Sequence, residues 1–282
     1  MFFDKPKEVA CRKAAWFSTA TILQRAIALE LDVDSLDIEI ASVHKYKHDI
    51  NEGAELYLSD EHPNGSGLVN WANKHWSELI AGCIDPINHD KFSKLGRFLR
   101  DECKRAQTFG QEWRSPDLLL KGFRNRHLHP LIDWRLGLEL LSVIRDANYI
   151  PGVTPYFEDW GLGLKSSQEE FAEIAKNYCS AFGDGNIIPI TDGSYLHGWI
   201  SEDGKTLDIV AHPLWQLDHQ MRDEVSKSII TFARKQAFVK NVRLLDSFNL
   251  SRRMSWVRNN PSFFPEYEIS FLVRVSVVIR IN

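Results

Sequence analysis

The chain has 282 residues, about two domains' worth at ~150 residues each, and 44% of them are hydrophobic against 26% charged, with 11 Pro and 16 Gly. This profile excludes collagen-like, mucin-like and broadly disordered chains, and nine Trp with sixteen Phe supply a large core. A net charge of −4, from 34 basic and 38 acidic residues, excludes a wholesale nucleic-acid coat, so any such contact must come from a local patch. Cys11, Cys83, Cys103 and Cys179 are scattered without a Cys-x-x-Cys pair, which fits a reducing cytoplasm. Met1-Phe2-Phe3 runs straight into Asp4-Lys5, and no run of roughly 18 apolar residues follows anywhere. The expectation is a cytoplasmic protein with no membrane partner.

From about Lys7 to Leu31, the residues Trp16, Ala20, Leu23, Ile27 and Leu31 recur at helical spacing and predict one apolar stripe, broken at Asp32-Val33-Asp34-Ser35. Leu36, Ile38 and Ile40 then alternate with Asp37 and Glu39 as in a half-buried strand, and the polar run His44–His48 reads as a loop or strand end. Ala54, Leu56 and Leu58 predict a second strand. A turn through Asn64-Gly65-Ser66-Gly67 leads from it into a helix carrying Val69, Ala72, Trp76, Leu79 and Cys83 on one side. Phe92, Leu95 and Leu99 suggest a short helix, and Gly110 to Pro116 a loop. Asp117 is positioned to cap a helical run through Leu118, Leu119, Leu120 and Phe123, and a further helix starts near Pro130 with Leu131, Trp134, Leu138 and Leu141 inward.

Proline and glycine cluster from Pro151-Gly152 to Pro155 and divide the chain into 1–150 and 151–282. Ser167-x-x-Glu170 reads as a capping box ahead of the stripe Phe171, Ile174, Tyr178 and Phe182. Strands are predicted at 186–191, 195–200 and 205–211, the last two joined by an Asp203-Gly204 hairpin turn. Val225, Ile229, Phe232 and Gln236 suggest a helix, with a short strand near Val242–Leu245. In the tail, Ile269, Phe271, Val273, Val275, Val277, Ile279 and Ile281 fill every second position, the pattern of a long strand that must be covered or will pair with another chain. The fold expected is α/β: a helix-rich N-terminal domain with a small sheet, then an α/β C-terminal domain.

The run from Leu119 to Leu138, LLKGFRNRHLHPLIDWRLGL, resembles the MrfA-like zinc-binding domain found at or near the C-termini of bacterial superfamily-2 helicases and in accessory proteins of anti-phage systems such as DISARM. Residues 14–34, the 56–67 strand and turn, His212-Pro213-Leu214-Trp215 and Ser247–Arg253 agree with that family's blocks in order, so the likeness reaches from about residue 8 to 257. Asn125, His129, Asp133, Trp134 and Arg135 fall on its motif. The resemblance implies zinc, yet the two motif cysteines fall on Pro116 and Leu119, which cannot ligate a metal. Cys83 and Cys103 remain as weak residual donors, with His89 near them. The expectation is a degenerate site with no cofactor, in which Leu118, Leu119, Leu120 and Phe123 pack in place of the metal.

Three candidate sites follow. Asn64-Gly65-Ser66-Gly67 either presents backbone N–H groups to a phosphate or is simply a tight turn that needs glycine. Lys121, Arg124 and Arg126 form the densest basic cluster, among Phe123, His127, His129 and Trp134, and suit a nucleic-acid edge; in the alternative reading Trp134 is core, Arg135 pairs with an acid such as Asp133, and His129 bonds to backbone. His212, with Asp208, Asp218 and His219, could serve a metal-dependent nuclease or hydrolase, although a satisfied strand-end histidine is the simpler reading. The ATPase motifs of a helicase are absent. The function these residues and the resemblance imply is a non-enzymatic accessory module that contacts DNA phosphates, a helicase or a defence-system subunit, in phage defence or DNA repair. The alternatives are a nuclease in the C-terminal part or a remnant of a longer helicase gene.

Overall fold

A computed structural model describes residues 10–48, 51–62, 65–108, 116–154, 160, 162, 165–183, 196–201, 204–215, 239–264 and 266–268. The strand expected at 186–191, the helix near 225–236 and the alternating tail from Ile269 to Ile281 lie outside these residues. Among the described residues the architecture is mixed α/β, helix-rich with a two-stranded sheet first and a four-stranded sheet second. No helix among them is long and apolar enough to cross a membrane.

Helix α1 (Ala10–Leu31) is the axis of the first half. The expected stripe is buried from Trp16 to Ile27, but Ala14, Ala15, Ser18, Thr19, Thr21 and Ile22 are buried as well, so the helix is enclosed on more than one face. Its hydroxyls tolerate this because each has a partner: Thr19 Oγ1 donates to Gly137 O (3.1 Å), Thr21 Oγ1 to Phe17 O (2.8 Å), and Ser18 Oγ accepts from Asp133 N–H (2.9 Å). Asp32, at a left-handed φ of 56°, ends it.

Strands β1 (Ile38–His48) and β2 (Asn51–Asp60) form an antiparallel hairpin, bulged where Ala41 intervenes between Ile40 and Ser42. The polar run is the strand end rather than the loop of its two readings, because pairing continues from His44 opposite Glu55 to His48 opposite Asn51. The helix expected over 69–83 is two, α2 (Leu68–Lys74) and α3 (Trp76–Ile84), broken at His75 where the rings of Trp71, His75 and Phe92 meet pairwise at 5.0 Å. Helix α4 (Lys94–Thr108) is longer than expected. After α5 (Asp117–Leu120), α6 (Trp134–Arg145) begins four residues beyond Pro130, because Asp133 rather than proline supplies the cap: its Oδ1 accepts from Leu136 N–H at 3.1 Å.

In the second half α7 (Ser167–Phe182) opens on a capping box one residue earlier than expected, Ser166 with Glu169. The sheet has the order β3 (His197–Ile200), β4 (Thr206–Ala211), β5 (Asn241–Asp246), β6 (Glu266–Glu268); only the β4–β5 pair is parallel. Every residue of β4 is buried, as a strand covered on both faces requires. Helix α8 (Ser247–Asn259), capped by Asp246, follows β5 directly.

The two halves share a joint. Ala14, Ala15 and Trp16 of α1 and Leu136 and Leu140 of α6 pack with Leu214 and Phe248 from the second half. The connecting stretch serves both sides: Val153 packs on the second core, whereas Trp160 is buried in the first, stacked on Trp134 at 5.6 Å and bonded through Nε1 to Ile84 O (3.0 Å).

Contact between α1 and α6 depends on Gly137, where an added Cβ would stand 2.7 Å from Ile22 Cδ1 and 2.9 Å from Ser18 Cβ. Gly137→Val is expected to lower stability by about 1–3 kcal/mol, read as a lower urea midpoint, although valine has the better helix propensity. An unchanged midpoint would mean that the helices do not cross this closely.

Candidate nucleic-acid interface

Two side chains of the family-like motif build the loop between α5 and α6. Asn125 Oδ1 accepts from Gly122 N–H (2.8 Å) and its Nδ2 donates to Leu120 O (2.8 Å). His129 Nε2 lies 2.9 Å from Gly122 O and 3.0 Å from Asn125 Oδ1. Both neighbours are acceptors, so this nitrogen carries the proton and donates to them. Leu128 N–H donates to Asn125 O (2.8 Å), while Leu128 and Ile132 anchor the loop in the core.

What the braced loop turns outward is not what the hydrophobicity of its sequence suggests. Of the four apolar residues expected to pack in place of a metal, Leu120 is fully buried and Leu119 partly so, but Leu118 is 67% exposed and Phe123 83% exposed. Arg124, Arg126 and His127 are exposed with them, and Lys121 is half-buried. The Arg126 guanidinium carbon lies 5.5 Å from the Phe123 ring centroid, and Arg124 reaches Glu61 at 3.5 Å. Trp134 is core, and Arg135 pairs with Glu170 (2.7 Å) and bonds Lys165 O (3.1 Å), not with Asp133.

The glycine turn lies beside this loop, through Glu61, but is filled from within. Asp60 accepts from Gly67 N–H (2.7 Å) and Val69 N–H (3.0 Å), so a resident carboxylate occupies the backbone donors that a phosphate would need and would repel it. Gly65 (φ 64°) and Gly67 (φ 77°) take left-handed backbone, which accounts for the glycines as turn residues. Ser66 is exposed, and Asn64 lies outside the described residues.

Beneath the loop is a polar clamp. Asp117 does not cap α5; it lies inside that helix and accepts from Trp134 N–H (2.8 Å) at the start of α6. Arg252 of α8 donates to Pro130 O and Ile132 O (3.1 Å each) and to Asp133 Oδ2 (3.2 Å), and lies 3.9 Å from Asp117 Oδ2. Its guanidinium also covers the Phe248 ring at 4.5 Å. Burial, followed by the negative charge of Asp133, pushes the Asp117 carboxyl up to about 7. Sequence reasoning placed Arg252 inside a family block without a role; its partners stand about 120 residues earlier, and no local signal pairs them.

The residues present do not fit the zinc that the resemblance implies. Cys83 and Cys103 are buried in the apolar core, and burial pushes both thiols up to about 12, with the Glu30 charge adding to the effect at Cys83. Among the described residues no three His, Cys, Asp or Glu side chains converge. The hydrolase candidates are not brought together either. Asp208 is held by Arg243 through two 2.8 Å bonds, and His212 meets Glu139 through Nε2 while its Nδ1 accepts from Leu214 N–H (3.2 Å). Glu139 also accepts from Gly152 N–H (3.1 Å). His212 and Glu139 line a cleft of about 60 Å³ with Asp133, Arg135, Glu170 and Ser251, but with both ring nitrogens engaged His212 has none left to activate a serine there. Asp218 and His219 lie outside the described residues.

Because Asp117 binds its proton more tightly folded than unfolded, its contribution to stability falls as pH rises from its ordinary value of 3.8 towards about 7. Asp117→Asn keeps the acceptor for Trp134 N–H and removes that slope. Between about pH 5 and pH 7.5 the urea midpoint of the parent should fall relative to the variant's, by the equivalent of about 1 kcal/mol or more; parallel curves would show that Asp117 is ionised throughout. Comparison with protein-family models, curated proteins and solved structures finds no match to this chain.

Proposed function

We propose that the chain is a non-enzymatic accessory module that contacts DNA phosphates through Lys121, Arg124 and Arg126 and works beside a helicase or defence-system subunit, in phage defence or DNA repair. The observation that carries the contact is the braced loop, which holds two exposed guanidiniums beside an exposed aromatic ring in an otherwise acidic protein. The Glu61 pair does not silence Arg124, since an exposed pair at 3.5 Å is worth at most about 1 kcal/mol and yields to a phosphate. The likeness of residues 119–138 to helicase-associated domains supplies the proposed setting and partner. The hydrolase alternative has no such support among the described residues, because Asp208 and His212 each have their own partner.

Binding to labelled DNA is expected to weaken steeply with salt. Arg124→Ala/Arg126→Ala should lower affinity and flatten the log–log salt slope by roughly 0.7–0.9 for each phosphate no longer neutralised. No binding at low salt would overturn the reading.

A further inference from the structure

We infer that the same loop is a stacking platform for an unpaired nucleotide, so that the nucleic acid it takes is single-stranded; this rests on the reading of Lys121–Arg126 as a nucleic-acid contact. Phe123 is the most exposed large hydrophobic side chain among the described residues, at 83%. It stands on a loop whose backbone is fixed by Asn125 and His129, so the ring is presented with little ordering cost. Arg126 lies over the ring at 5.5 Å and covers one side, leaving the other open. A base laid on the open side would complete a base–phenyl–guanidinium sandwich, with Arg124 and Lys121 beside it for the flanking phosphates.

Two features favour a strand over the other occupants of an exposed aromatic. In a duplex each base face is already covered by its neighbours, and opening a step costs a few kcal/mol, so an exposed phenyl gains nothing until a base is free. A protein partner seated on Phe123 would have to desolvate the exposed Arg124 and Arg126 and supply matching acids, whereas a polynucleotide brings an apolar face and phosphates together. The Gly122 N–H and C=O and the Leu120 C=O are taken within the loop, so recognition there falls to side chains.

The test is fluorescence anisotropy with labelled oligo(dT), oligo(U) and a blunt DNA duplex, using the full chain. Phe123 is exposed, so Phe123→Ala should fold as the parent does, as circular dichroism will register. The expected result is tighter binding of the single strands than of the duplex. Phe123→Ala should weaken binding of the strands by about 5- to 100-fold with an unchanged salt slope, and Phe123→Trp should restore it. Stacking does not read the 2′-hydroxyl, so tight binding of either sugar supports the inference, and the tighter one names the natural strand. Equal binding of duplex and strand, with Phe123→Ala silent and Arg124→Ala/Arg126→Ala still weakening it, would overturn the stacking platform and leave the phosphate contact standing. No binding of any of the three would remove both.

Discussion

The structure turns on the first turn of α6, where a guanidinium from α8 holds one carboxylate and two carbonyls beside a second carboxyl. Arg252 bonds Pro130 O, Ile132 O and Asp133, with Asp117 just beyond, and the two aspartates accept the Leu136 and Trp134 N–H groups that open the helix. Arg252 and Asp133 satisfy each other there, while burial and the Asp133 charge favour the protonated form of Asp117, so removing Arg252 would strand the carboxyls. The arrangement fixes where α6 starts, and therefore where Gly137 meets α1 and at what angle the loop leaves the body. It also ties the second half to the first at the root of that loop.

Two further bridges between the halves are polar as well. Glu139 of α6 meets His212 beyond β4 and Arg135 meets Glu170 of α7, around the cleft that these residues line. Polar pairs of this kind add little net stability over well-packed hydrocarbon, but they penalise misaligned arrangements because a displaced polar group is left without a partner. Apolar packing of α1 and α6 with Leu214 and Phe248 provides adhesion, and the polar pairs provide register.

Much of the fold could be read from periodicity. Alternation at Ile38–Ile40 and Ala54–Leu58 marks the hairpin, and the 195–200 and 205–211 segments pair antiparallel where Asp203-Gly204 suggests a turn. What periodicity missed was decided by distant partners. Ser18, Thr19 and Thr21 look like a polar face of α1 but are buried because Asp133, Gly137 and Phe17 satisfy them. The break at His75 lies against the Phe92 ring, and α6 starts at Trp134 because Asp133 caps it. For the site, the run Lys121–Arg126 was visible, but Phe123 was read two ways, as one of the aromatics of that cluster and as packing in place of the metal that the resemblance implies. Its exposure follows from the Asn125–His129 bracing, which aims the residue between them and α5 away from the body.

That bracing also decides what holds the loop at positions 118 and 123. Hydrocarbon packing does not hold it there, since both side chains face solvent; hydrogen bonds from Asn125 and His129, seated on the Arg252 clamp, hold the loop. Amide hydrogen exchange at Gly122 and Leu128 tests this most directly, because the first N–H is held by the Asn125 side chain and the second by its carbonyl. Protection at Gly122 should survive a strong chelator unchanged and collapse in Asn125→Ala. Loss of protection at both amides on chelation, with Asn125→Ala protected like the parent, would contradict the account.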